Sequence, residues 1–230
     1  MRLRKNAIKE STWLQSLARR SFLARLGAGA GVLGAAAVGS PGAFAEASAG
    51  ESWKPARHPQ DDWFDQIPGQ HRFVFDTTAP EGLSWAFQFA SNYYTANNEA
   101  YGLADHDLAI VIVTRHKSTS FGYNDAMWAK YGKQFSDQSG FTDPKTKEPP
   151  TTNLYFERMD PLIKKGAHFA VCNMSTRRIA GAIAQANGTD AATVLKELGA
   201  NLVQNARLVA AGIVAVNRAQ EHGYSFVYAT

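Results

Sequence analysis

The sequence predicts an α/β domain, a three-layer sandwich built on a mainly parallel five-stranded sheet, and two observations carry that prediction. Leu108 to Thr114, LAIVIVT, is apolar without alternation, the pattern of a central strand covered on both faces. Four other short apolar runs alternate along the chain with helix-type patterns, and strands joined by crossover helices run parallel.

The domain begins well inside the chain. Ser16-Leu17-Ala18-Arg19-Arg20-Ser21-Phe22-Leu23 has the pattern of a twin-arginine export signal, followed by an apolar run, Leu26 to Val38, too short to span a bilayer comfortably. Pro41 and Ala43-Phe44-Ala45 supply a helix breaker and an A-x-A cleavage signature. Residues 1–45 therefore read as a signal cut after Ala45, with Ala47-Ser48-Ala49 as a second candidate and a retained anchor as the alternative. The expected location is the periplasm, reached through the twin-arginine export machinery with no stable membrane anchor.

Cleavage changes the charge. The whole chain carries 24 basic and 20 acidic residues, but residues 46–230 keep 17 against 19, a formal charge of −2. The basic balance belongs to the signal, so no nucleic-acid partner is expected. The remaining 185 residues suit one domain, and one cysteine excludes an internal disulfide.

Residues 46–70 read as a leader that packs through Trp53, Trp63 and Phe64, with little regular structure before Asp61. The domain proper spans 71–230. His71 to Asp76 is its first strand. Thr78, with Glu81 three residues on, predicts a capping box for a helix whose inner stripe is Leu83, Phe87, Ala90 and Tyr94 and whose end is Tyr101-Gly102. After LAIVIVT comes Arg115-His116. Asn124 is then expected to cap a short helix, Asp125 to Tyr131, stopped by Gly132. Lys133 to Pro150, polar and rich in proline, is expected to be the most mobile stretch. A short helix from Met159 to Lys165 leads into the strand Ala167 to Cys172. A helix from Thr176 to Asn187 follows, then one capped by Asp190 with Val194, Leu195 and Leu198 inward. Ala206 to Ala210, a helix Gly212 to His222 and a strand Tyr224 to Ala229 complete the order.

The chemistry centres on Cys172, the sole cysteine, placed where a strand ends and a helix begins. Ligands of open α/β sheets bind outside the strands' carboxyl ends, beside helix N-termini that favour an anion. A thiolate is such an anion. Asn173, Thr176, Arg177 and Arg178 fall in the turn and the expected first helical turn, where the arginines would favour the ionised sulfur. Equally, Cys172 can be read as a small buried apolar side chain. His116, just past another strand end, is the candidate partner, against the alternative of an exposed loop histidine. His168 lies roughly 13 Å along the strand from Cys172 and reads as structural.

Other chemistries find little support. The six histidines lack paired metal spacing, so no metal or cofactor is expected. There is no G-x-S-x-G, no G-x-G-x-x-G after a strand and no Walker sequence. Trp85, Tyr93, Tyr94 and Trp128 read as core.

Cys172 just after an apolar strand, together with the run Ala211-Gly212-Ile213-Val214-Ala215-Val216-Asn217-Arg218-Ala219-Gln220-Glu221-His222-Gly223-Tyr224, resembles the DsrE-like sulfur-relay family over residues 71–229. His71 to Asp76, Tyr101-Gly102-Leu103, Arg115-His116 and Asn124 to Tyr131 look like a Tat-exported branch of it. The resemblance implies flavodoxin-like layering, oligomerisation, and a persulfide carried on Cys172; Arg115 and His116, just past a neighbouring strand end, are expected to recognise an anionic donor. The family's better-known members are cytoplasmic; this chain has an export signal and a longer polar insertion before the cysteine strand. The implied partner is therefore a small sulfur compound or a periplasmic sulfur-handling protein. A non-catalytic binding module with a structural cysteine is the alternative. The apolar helix beginning Ala211-Gly212-Ile213-Val214-Ala215-Val216 needs cover on most of its circumference, which predicts a homo-oligomer, or a monomer whose leader supplies the cover.

Overall fold

The computed structural model describes residues 54–230. The expected signal, its expected cleavage sites and Trp53 lie outside the described residues.

Five strands form one parallel sheet in the order β4-β3-β2-β1-β5: β1 (His71–Thr77), β2 (Leu108–Thr114), β3 (His168–Cys172), β4 (Ala206–Val209) and β5 (Ser225–Ala229). The unbroken apolar run falls on central β2, and all seven of its residues are buried. The predicted α/β sandwich is the observed one.

Strand alternation divides the core in two. Phe75, Ile110, Ile112, Phe169 and Val171 face one layer of five helices. These are α2 (Pro80–Tyr101), α3 (Asp125–Ser139), α4 (Phe156–Lys164), α5 (Asn173–Asn187) and α6 (Ala191–Ala200). Leu83, Phe87, Ala90 and Tyr94 form the buried stripe of α2 as expected, and Gly102 ends it at φ 67°. Asn124 and Asp190 cap α3 and α6 through Met127 N and Thr193 N.

Val74, Val111, Val113 and Ala170 face the opposite layer, where α7 (Gly212–Glu221) lies over all five strands and buries Ala215, Val216 and Ala219. The one-turn α1 (Trp63–Gln66) completes that layer with Trp63, Phe64 and Ile67. The leader packs by Trp63 and Phe64 as predicted. Arg72 Nη1 and Tyr224 Oη donate to Phe64 O at 2.9 and 2.8 Å, and the Arg207 guanidinium lies 4.8 Å over the Trp63 ring. Asp65 stands 2.9 Å from buried His222, and this polar contact chiefly holds its carboxyl below the usual range.

Several local expectations are corrected. Thr78 does not cap α2. Pro80 occupies the first helical turn and forces the residue before it into extended backbone, so Ala79 (φ −135°, ψ 160°) is the N-cap. The Thr78 hydroxyl instead meets Tyr228 Oη at 2.6 Å. Trp85 is exposed, while Tyr94 and Trp128 are fully buried.

Gly132 does not stop α3. The helix bends at Tyr131 (φ −126°, ψ 15°) and runs on to Ser139, so the first part of the polar stretch is helical and Phe135 is buried in the core. Gly132 serves a close approach: a Cβ there would lie 2.0 Å from Pro150 O. Backbone cannot yield cheaply, so Gly132→Ala is expected to cost about 2–3 kcal/mol. A urea midpoint equal to wild type would refute this account of Gly132.

Candidate functional site

Parallel register brings three strand ends into line. Thr77 pairs with Thr114, and Thr114 with Val171, so the chain leaves β2 as Arg115-His116 directly beside Cys172 on β3. Arg115 and Cys172 are both one residue past this row, and both side chains therefore project on the α7 side of the sheet. Gly212 lies against Arg115: a Cβ on that glycine would come within 2.6 Å of the Arg115 Cβ.

Arg115 is held by Asp76, a residue that sequence reasoning passed over. Its Nε and Nη2 donate to Asp76 Oδ1 and Oδ2, each at 2.7 Å, and Asp76 is buried. The fork leaves the Nη1 hydrogens without a partner among the described residues. The bond and charge of Asp76, with smaller contributions from Tyr228 and Cys172, push the Arg115 pKa further up. Below it, Arg115 N donates to Ser118 Oγ at 3.0 Å and Thr77 Oγ1 donates to Val113 O at 2.8 Å. Backbone and side chain of Arg115 are thus fixed together.

Cys172 is itself the N-cap of α5, which starts at Asn173 and not at Thr176. The Ser175 N–H donates to Cys172 Sγ at 3.5 Å. A free helix-terminal N–H is therefore satisfied by sulfur where serine or aspartate usually serves. The sulfur is only slightly open, with Cys172 5% exposed.

Ser175 links this sulfur to His116. The His116 N–H donates to Ser175 Oγ at 3.0 Å, and its carbonyl accepts from Gln138 Nε2 at 2.9 Å. His116 takes φ 56°, a left-handed backbone that costs a non-glycine residue about 1 kcal/mol or more. Hydrogen bonds on both sides hold it there. Its exposed ring places Nδ1 3.4 Å from Arg178 Nη2.

The earlier start of α5 moves Arg177 and Arg178 into the second helical turn, where both are exposed. Arg178 reaches the His116 ring. Arg177 makes no side-chain hydrogen bond or ion pair among the described residues. Thr176 is not available to a ligand: its hydroxyl donates to Cys172 O at 2.9 Å, accepts from Tyr123 Oη at 2.8 Å, and is fully buried. Burial pushes the Tyr123 pKa up, so the phenol remains a neutral donor in this chain. Asn173 is half-buried, and its Oδ1 has no partner among the described residues.

His168 sits at the opposite end of β3, its ring 6.5 Å from Trp63, and burial aided by the Arg207 charge pushes its pKa down. Among the described residues no group of three or more His, Cys, Asp or Glu side chains is placed to hold a metal ion. No helix among them is long and apolar enough to cross a membrane.

No protein-family model and no curated protein matches the chain. Among solved structures it is similar to a protein of unknown function from Methanobacterium thermoautotrophicum, at 17% identity and a TM-score of 0.39, over 69% of this chain and 99% of that one.

Proposed function

We propose that the protein is a periplasmic sulfur carrier or sulfurtransferase-like protein that holds a persulfide on Cys172. The observation that carries this reading is the placing of the sulfur at a helix N-terminus, as acceptor of the Ser175 N–H, beside Arg115 and the His116–Arg178 pair. Helix-terminal N–H groups favour negative charge, which a thiolate and a persulfide both bear. With thiosulfate, the Cys172 thiolate attacks the sulfane sulfur, a new S–S bond forms, the old one breaks and sulfite leaves with the electron pair. With polysulfide, the chain shortened by one sulfur leaves. Neither step needs an external oxidant.

The slight opening of Cys172 supports a second reading, a non-catalytic binding module with a structural cysteine. Thiol labelling decides between them. Native protein is expected to react with a thiol reagent at neutral pH and, after incubation with polysulfide or thiosulfate, to gain one sulfur by intact mass. A thiol that reacts only on unfolding would leave the carrier reading without its nucleophile.

We also propose a homo-oligomer. Ile213 and Val214, on the first turn of α7, are 58% and 40% exposed, so the expected cover on most of the helix is not met among the described residues. The described leader approaches the other end of α7, where Asp61 and Arg218 lie 3.5 Å apart. Sedimentation at micromolar concentration is expected to show a two-fold dimer or larger assembly. A single monomer species would refute it.

A further inference from the structure

Lys117, Arg177 and Arg178 are exposed and have no carboxylate partner among the described residues. All three stand at one corner of the sheet's carboxyl edge, beside the end of β2 and the start of α5. Lys117 follows His116, whose ring meets Arg178 and whose N–H meets Ser175, three residues from Cys172. Residues 54–230 carry 17 basic and 17 acidic side chains, so the concentration of positive charge is local.

The first turn of α5 has no acidic residue to offset Arg177 and Arg178 in the second. Arg115 does not supply the same attraction, because Asp76 already matches its charge.

Met174 identifies the class of partner. It is 62% exposed, and in an α-helix it neighbours Arg177 and Arg178 at spacings of three and four residues. Methionine and arginine are the residue types enriched where proteins meet, and a flexible thioether adapts to a second surface. A small free anion would have no use for the apolar centre. Nucleic acid would draw on more than three cations and on stacking aromatics, which this corner lacks.

We infer that Lys117, Arg177, Arg178 and Met174 form a docking surface for an acidic segment of a partner protein, which brings its own reactive sulfur to Cys172. The purpose of the docking rests on the sulfur-carrier reading; the docking itself does not.

The test uses a Glu-rich and a Lys-rich peptide of equal length, each with one cysteine activated as a pyridyl disulfide. The Cys172 thiolate attacks the peptide sulfur, the mixed disulfide forms, and pyridinethione leaves with the electron pair of the broken S–S bond. At low salt the Glu-rich peptide is expected to react about ten-fold faster, and high salt should erase the difference. The triple variant Lys117→Glu, Arg177→Glu, Arg178→Glu should reverse the preference with an unchanged urea midpoint, since all three side chains are exposed.

Fluorescence anisotropy of the same peptides without the disulfide reads docking independently of the thiol. Glu-rich peptide binding without exchange would keep the docking surface and remove the sulfur-acceptor reading. Equal rates and equal binding for the two peptides overturn the proposal. Stronger competition by duplex DNA or anionic phosphatidylglycerol vesicles than by the Glu-rich peptide assigns the surface to another class of ligand, and overturns it too.

Discussion

A Cys172→Ser chain is expected to gain no sulfur from thiosulfate or polysulfide under conditions in which wild type gains one. Serine leaves the geometry in place, because its hydroxyl oxygen can accept the Ser175 N–H that Cys172 Sγ now accepts. Serine is among the best N-cap residues, so folding stability should stay within about 0.5 kcal/mol of wild type. What disappears is the nucleophile, since a hydroxyl is not ionised at neutral pH. Cys172→Ala separates the two roles: it loses both sulfur and cap, and should be less stable than the serine variant by about 1 kcal/mol. Loading of the serine variant, read by intact mass, would move the chemistry away from Cys172 and defeat the proposed function.

Changing Arg19 and Arg20 together to lysine is expected to leave the precursor in the cytoplasm. The substitution keeps both charges, so any general requirement for a basic N-terminus is still met. Arginine presents a planar fork of donors that an ammonium cannot imitate, and a receptor reading the pair would register the loss. Changing one of the other signal arginines should have little effect. Cell fractionation with an antibody to the folded domain measures the outcome. Normal periplasmic yield from the double-lysine chain would refute the export assignment.

Much of the fold was legible because its determinants are local. An unbroken apolar run specified the buried central strand, and Asn124 and Asp190 announced helix starts that their side chains do cap. The misreadings came from residues whose meaning is set elsewhere in the chain. Gly132 looks like a helix stop until Pro150, eighteen positions later, is found against it. Thr78 looked like a cap because Pro80 was not given its effect on Ala79, although that signal was local and available.

The site divides in the same way. Strand-end placing grouped Cys172, Arg115 and His116 correctly, since it follows from parallel register. Asp76 was invisible as the anchor of Arg115, because an acid closing a strand reads as solvated and its partner is 39 residues away. Thr176 seemed free only while its bond from Tyr123, 53 residues earlier, was unknown. Cysteine is not a usual helix cap, so nothing in the sequence announced that α5 begins on Cys172 itself.

The strand order sets a timetable for the growing chain. β1, the first strand made, takes one edge partner from β2 and the other from β5, which follows every other strand, and Thr78 meets Tyr228 across 150 positions. The longer helix of one layer, α7, is also made after the first four strands. During translation β1 therefore waits with one edge unpaired, and Val74, Val111 and Val113 wait without their cover. An open strand edge and uncovered apolar surface invite association with other chains, and closing so distant a pair is slow. The nascent polypeptide passes through a window in which it depends on dilution or on a holding protein, and that window closes only when β5 reaches β1.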